Sequence, residues 1–195
     1  MQRKDAFVQE EFYHIYNRGT DKRKIFLDTA DHHRFIELLY LCNTKYSVNV
    51  RDIRKVHNNI FEFDRGKPLV SIGAYCLMPN HFHLLLTTDA ESGISFFINK
   101  VCTAYSMYFN KRYDRSGALF QGRFKSQHAD SDEYLKYLYA YIHLNPVKLI
   151  DPKWKEEGSK DAAKSFDFAA VSQAKCIPLF QYKLPLPEIT FTSGN

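Results

Sequence analysis

Apolar and polar positions recur along this chain with two different periods, and the switches between them predict its elements. Phe12 to Asn17 is aromatic and β-branched enough for a strand, closed by Arg18-Gly19. From Asp28 to Tyr46 the residues Phe35, Leu38, Leu39 and Cys42 fall at helical spacing. Ser47 to Asp52 is expected as a short strand. Leu69 to Leu77 and His81 to Thr88 read as two strands, and Met78-Pro79-Asn80 between them has turn chemistry, so an antiparallel hairpin is expected. Ser92 to Tyr113 carries the stripe Ile94, Phe97, Ile98, Val101, Tyr105 and Tyr108, which predicts a helix. A short strand follows at Phe124 to His128. Ser131 then opens a last helix, with Asp132 and Glu133 at its positive end and Leu135, Leu138 and Ile142 as its core face. Pro146 marks where it stops.

Two stretches fit neither period. Residues 51–68 are dominated by Arg51, Arg54, Lys55, His57, Arg65 and Lys67 and read as a loop or a protruding hairpin. Beyond Lys148 the periodicity weakens, and residues 151–195 are expected to form an irregular extension packed on the rest. Residues 1–150 are then one domain. The order strand, helix, strands, helix, strand, helix suits an α+β fold: a ferredoxin-like sandwich, with a mainly antiparallel sheet and helices packed on one face.

Composition changes this picture in three ways. The net charge of +5 favours a polyanionic partner. Thirteen tyrosines and 16 phenylalanines are an unusual number; much of this aromatic content belongs to the core, and surfaces for stacking on bases can share it. Cys42, Cys76, Cys102 and Cys176 lie far apart with no CxxC pair, and no secretory leader or membrane-length apolar run is seen. A reduced, cytoplasmic protein with no membrane partner is expected.

Three segments carry candidate chemistry. In His81-Phe82-His83 both imidazoles project from one face of a strand and can reach one ion, while Phe82 points into the core. A pair of strand histidines facing solvent is the plainer alternative. Cys76, expected across the hairpin, makes a structural zinc site conceivable, although third and fourth ligands are not evident. Tyr137, Tyr141 and Asn145 lie four residues apart along one helical ridge, where a tyrosine hydroxyl can attack phosphorus and Asn145 offers a neutral oxygen to a metal. Equally, they suit an aromatic flank packed on the sheet. Lys111, Arg112, Arg115, Arg123 and Lys125, interleaved with Tyr113, Phe120 and Phe124, suit a single-stranded backbone with stacked bases, or a solvated loop.

Four separated segments agree with one another. Tyr13-His-Ile-Tyr-Asn-Arg-Gly19, Leu77-Met-Pro-Asn-His-Phe-His-Leu-Leu85, Leu119-Phe-Gln-Gly-Arg-Phe124 and Tyr141-Ile-His-Leu-Asn-Pro-Val-Lys148 stand in the order in which similar segments occur in the REP-associated tyrosine transposases. These are relatives of the small HUH (His, hydrophobic, His) transposases of simple insertion sequences. The resemblance covers residues 12–150. It implies a ferredoxin-like fold and a divalent metal, Mg2+ or Mn2+, held by His81 and His83. Tyr141 matches the nucleophile that forms a 5′-phosphotyrosine link, and Asn145 the position of a third, amide-bearing ligand. Single-stranded or hairpin DNA is the implied partner, bound by a monomer or a homodimer. Two departures bear on DNA specificity more than on chemistry: residues 51–68 look like an insertion, and the tail lacks the Trp-Ser-Ser-Tyr type signature. The alternative is a domesticated protein that binds hairpin DNA or RNA without cutting it.

Overall fold

Every second residue of β1 (Tyr13–Arg18), namely Tyr13, Ile15 and Asn17, is buried, the first two in the main core, and the computed structural model builds outward from that strand. It describes residues 7–90 and 92–146; the expected extension over 151–195 lies outside the described residues. Helix α1 (Thr29–Leu41) follows β1, and a short helix α2 (Val50–Val56) follows α1. Next come β2 (Ser71–Met78) and β3 (His81–Thr87), then α3 (Gly93–Arg112), β4 (Lys125–His128) and α4 (Asp132–Leu144). The four strands are antiparallel in the order β2-β3-β1-β4, and the α+β, mainly antiparallel, ferredoxin-like fold expected from the sequence is formed.

The alternation of β1 and β3 divides the molecule into two faces. Tyr13, Ile15, Phe82, Leu84 and Leu86 point to one face, where α1 supplies Phe35, Leu38 and Leu39 and α3 supplies Ile94, Phe97, Ile98, Val101 and Tyr105. Helix α4 lies on the opposite face, with Leu138 and Ile142 buried against Ala74, Cys76, Met78 and Leu85. An irregularity between Ile72 and Ala74 puts Gly73 out of register. That extra residue lets Ile72, Tyr75 and Leu77 face the main core while Ala74, Cys76 and Met78 face α4.

Local chemistry sets the ends of these elements. Asp28 caps α1 by accepting from the Asp31 amide at 3.1 Å, and Ser131 caps α4 by accepting from the Tyr134 amide at 3.3 Å. Gly19 has no room for a side chain: a Cβ there would collide with the Arg23 carbonyl and Ile25. Its amide instead donates to the Asn80 carbonyl at 2.9 Å, tying the end of β1 to the β2–β3 turn.

The expected strand at 47–52 is not formed. Asn49 accepts from the Arg51 amide and starts α2, and Ile53 buries itself with Leu41 and Ile60. The β-branched residues that suggest a strand here, Val48 and Val50, pack partly against the core from either side of that cap. The base of this region is closed by Asn43, whose side chain donates to the Val70 carbonyl and accepts from the Leu69 and Val70 amides. A cleft lined by Glu37, Arg54, His57 and Phe61 sits here, beside α1 and away from the α4 face.

Candidate active site

Strand pairing brings the polar residues of three strands onto the α4 face. Opposite His83 lie Tyr16 of β1 and Cys76 of β2, and opposite His81 lie Arg18 and Met78. Two pairs further toward the other end, and so on the same face, is His14 with Leu85. Paired residues of an antiparallel sheet project to the same side, so His14, Tyr16 and Arg18 share the face of His81 and His83. The rings of His81 and His83 are 4.9 Å apart, as their i, i+2 spacing on one strand requires.

Both imidazoles are held by hydrogen bonds. Nδ1 of His81 lies 2.6 Å from Oδ1 of Asn80, and Nδ1 of His83 lies 2.8 Å from Nε2 of His14. His14 is buried and stacks on His83 with ring centroids 5.0 Å apart. Burial pulls its pKa down to about 4, so the ring is neutral at neutral pH.

Helix α4 supplies the tyrosines, whose positions differ sharply. Rings of Tyr134, Tyr137 and Tyr141 stack in a row along the helix, 6.2 and 6.0 Å apart, as residues three and four positions apart must. Tyr137 is 55% exposed, and Tyr139 turns to the other side of the helix against His143. Tyr141 is the one whose ring meets the histidines, 5.7 Å from His83 and 6.3 Å from His14. Asn145, one turn further, is buried at the end of the helix, and its Nδ2 has no hydrogen-bond partner among the described residues.

The five predicted cations are not brought together. Lys125 pairs with Tyr16 and shares its face, and Arg123 is exposed on the approach to β4. Lys111 and Arg112 lie in the last turn of α3, the helix that packs on the other face of the sheet, and Arg115 follows in the loop just beyond it. Arg112 there bonds the carboxylates of Asp28 and Asp31, the latter at 2.9 Å, and Arg115 donates to Asn110 at 2.8 Å. Hydrogen bonds to Tyr108 and Asp28 hold the Arg112 guanidinium well above its usual pKa. Arg18, by contrast, stands on the histidine face and donates to Gln121.

Two members of the site escape the sequence-based account, His14 and Arg18. Their signal is the strand period itself: once β1 is placed beside β3, residues 14, 16 and 18 must fall on the face of residues 81 and 83. Among the described residues no three His, Cys, Asp or Glu side chains are placed to hold a metal, which leaves the zinc alternative without a third ligand.

A family model described as "Transposase IS200 like" matches residues 31–145. No curated protein shows a significant sequence match. Two solved structures are similar at low identity. One is a REP-associated tyrosine transposase bound to a REP hairpin, with 13% identity, coverage of 76% of this chain and 73% of that one, and a TM-score of 0.49. The other, from Deinococcus radiodurans R1, carries a provisional transposase assignment, with 16% identity, coverage of 73% and 95%, and a TM-score of 0.40. The matched segment is more than half of the chain and contains both histidines, all four helix tyrosines and Asn145, so the chain belongs to the IS200-like transposase family.

Proposed function

We propose that this transposase is a metal-dependent single-stranded DNA endonuclease and strand transferase that acts at DNA hairpins in the cytoplasm. The observation that carries this reading is the packing of the Tyr141 ring against His83 and His14 across the interface between α4 and the sheet. A nucleophile and a pair of metal-binding side chains then meet from two elements far apart in sequence.

The donors suit a divalent cation. His81 and His83 share a strand face, each ring has Nδ1 engaged by a neighbour, and Asn145 is a buried amide at the end of α4. His81, His83 and the amide oxygen of Asn145 would hold the divalent ion, Mg2+ or Mn2+, with oxygens of water and of the DNA phosphate completing a set in which oxygen is the donor these ions favour. Such an ion, when bound, stabilises the charge that develops on the scissile phosphate. Tyr141 Oη attacks the phosphorus and the bond to the 3′ oxygen breaks. Tyrosine keeps the 5′-phosphate, and the departing strand ends in a 3′-hydroxyl. Attack by a 3′-hydroxyl on the phosphotyrosine reverses the step, so strands are exchanged without ATP.

Arg18, Arg123 and Lys125 flank this face and are the proposed guides for the DNA backbone. The test uses labelled single-stranded DNA from the flanks of the protein's own gene, incubated with protein and Mg2+ or Mn2+. A covalent adduct migrating above free protein is expected. Hairpin binding with no adduct under any divalent metal would instead identify a non-cleaving nucleic-acid-binding protein.

A further inference from the structure

We propose that His14 and Asn80 set the tautomers of the metal pair, so that Nε2 of both His81 and His83 carries the lone pair. His14 touches neither the metal nor DNA in this account. It is a positioning residue, and the inference rests on the metal reading of His81 and His83.

The two contacts work by the same rule. A neutral imidazole has one N–H and one acceptor nitrogen, and whichever partner takes the N–H decides which nitrogen remains for a metal. For His81 the partner is the side-chain oxygen of Asn80 at 2.6 Å, and an amide oxygen only accepts. The amide is oriented independently, because its Nδ2 donates to the Lys22 carbonyl at 3.3 Å. His81 therefore holds its proton on Nδ1.

His83 is less constrained by chemistry, since His14 could donate or accept at the 2.8 Å contact. Were His14 to donate, His83 would carry its own proton on Nε2 and present no lone pair beyond the one His14 uses. Metal binding therefore requires His14 Nε2 to accept from His83 Nδ1. The surroundings keep that acceptor in place: His14 is buried on β1, stacked on His83, with Tyr16 5.0 Å away on its own strand and Tyr141 6.3 Å away on α4. Partners that accept the second N–H of a metal-bound histidine are the usual way of fixing ring orientation. Here one partner comes from the β2–β3 turn and the other from β1, so the metal pair is braced from two directions.

The test reads histidine tautomers in the metal-free protein by long-range 1H–15N correlation at neutral pH, alongside Mn2+ affinity by electron paramagnetic resonance. In the wild type His83 should show the Nδ1–H tautomer; an Nε2–H tautomer overturns the inference without any variant. His14→Phe keeps a ring but offers no acceptor. It should lose the single tautomer and weaken Mn2+ binding by about 10- to 100-fold. His14→Gln supplies an amide at nearly the same reach and should restore both, which a merely space-filling role would not. Unchanged tautomer and Mn2+ affinity in His14→Phe overturns the inference. Should that variant not fold, the wild-type tautomer and the Gln variant still decide. The wild-type Mn2+ measurement separates the two levels of failure: no Mn2+ binding by folded wild-type protein sinks the metal reading itself, whereas binding that ignores His14 sinks only this inference.

Discussion

Phe82 and His83 are neighbours on β3, yet they belong to different halves of the molecule. Phe82 is fully buried among Phe35 and Phe120 on the α1–α3 face, where nearly every inward side chain is aliphatic or aromatic. His83 is buried too, but on the α4 face among His14, Tyr16, Cys76 and Tyr141. Burying a ring of carbon is favourable by itself, while burying an imidazole costs free energy unless its nitrogens find partners. The α4 face is accordingly bonded as well as packed. Only Leu138 and Ile142 of α4 are fully inserted in it, so the helix that carries Tyr141 is anchored by a small apolar cluster. One face stabilises the fold, and the other holds polar groups in fixed positions.

The largest expected effect concerns chemistry on the α4 face. Tyr141→Phe should abolish the covalent protein–DNA adduct while leaving hairpin binding and thermal stability near wild type. Tyr137→Phe and Tyr139→Phe should still form the adduct, because those rings are exposed or turned away from the histidines. Peptide mapping of the adduct to any tyrosine but Tyr141 would falsify the assignment. Adjacent residues of β3 then test the division of faces directly. His81→Ala should eliminate cleavage at limiting metal with little change in melting temperature. Phe82→Ala should cost about 3–5 kcal/mol of stability by opening a cavity in the main core. Equal destabilisation by the two substitutions, read in urea or thermal melts, would erase the distinction between the faces.

A third effect is smaller and turns on Arg112. Asp31 is wholly buried, and its carboxylate accepts from the Leu27 amide, from the hydroxyls of Tyr108 and Tyr113, and from Arg112. Arg112 is the cation of this cluster, and its side chain is about one-third exposed. Arg112→Ala leaves a buried carboxylate without its counter-charge but with three donors remaining. A loss of about 1–3 kcal/mol is expected after allowance for solvent screening. DNA affinity, measured at a temperature where the variant is folded, should not change. A large drop in affinity with unaltered stability would return Arg112 to the DNA path.

Arg112 also illustrates where sequence reading stops. Local composition, turn chemistry and periodicity together find the four strands, the three long helices and the shared face of His81 and His83, because strand and helix periods dictate side-chain direction locally. Tyr141 stands out from its neighbours only with the Asn-Pro-Val segment and Asn145 as guides. What local pattern cannot supply is pairing across distance. Nothing near Arg112 in sequence announces Asp28 and Asp31, 84 and 81 residues earlier, so a bound cation looks like one available to DNA. His14 is hidden for the opposite reason. Its strand is legible, but its importance depends on β1 lying beside β3 rather than at the sheet edge. The short helix α2 is missed because Val48 and Val50 suit a strand until Asn49 caps a helix.

The smallest effect expected is on the salt dependence of binding, and it separates the two groups of cations. Arg18 and Lys125 stand on the histidine face, on strands that neighbour one another, whereas Lys111 lies in the last turn of α3 and Arg115 just beyond it, past the other face. A phosphate neutralised by one cation releases condensed counterions, and for a single strand each such contact contributes about 0.7 to the slope of log affinity against log salt. The double variant Arg18→Ala, Lys125→Ala should therefore flatten that slope by about 1.4 if each side chain makes one contact. Lys111→Ala with Arg115→Ala should leave it unaltered, since the proposed DNA path past Tyr141 lies on the opposite side of the sheet from α3. Both double variants remove two positive charges, so a general loss of attraction affects them alike and cancels in the comparison. Titrations of a labelled hairpin at several salt concentrations give both slopes. A flattened slope for the α3 pair alone would send the DNA around the end of α3, and the histidine face would lose its claim to the backbone.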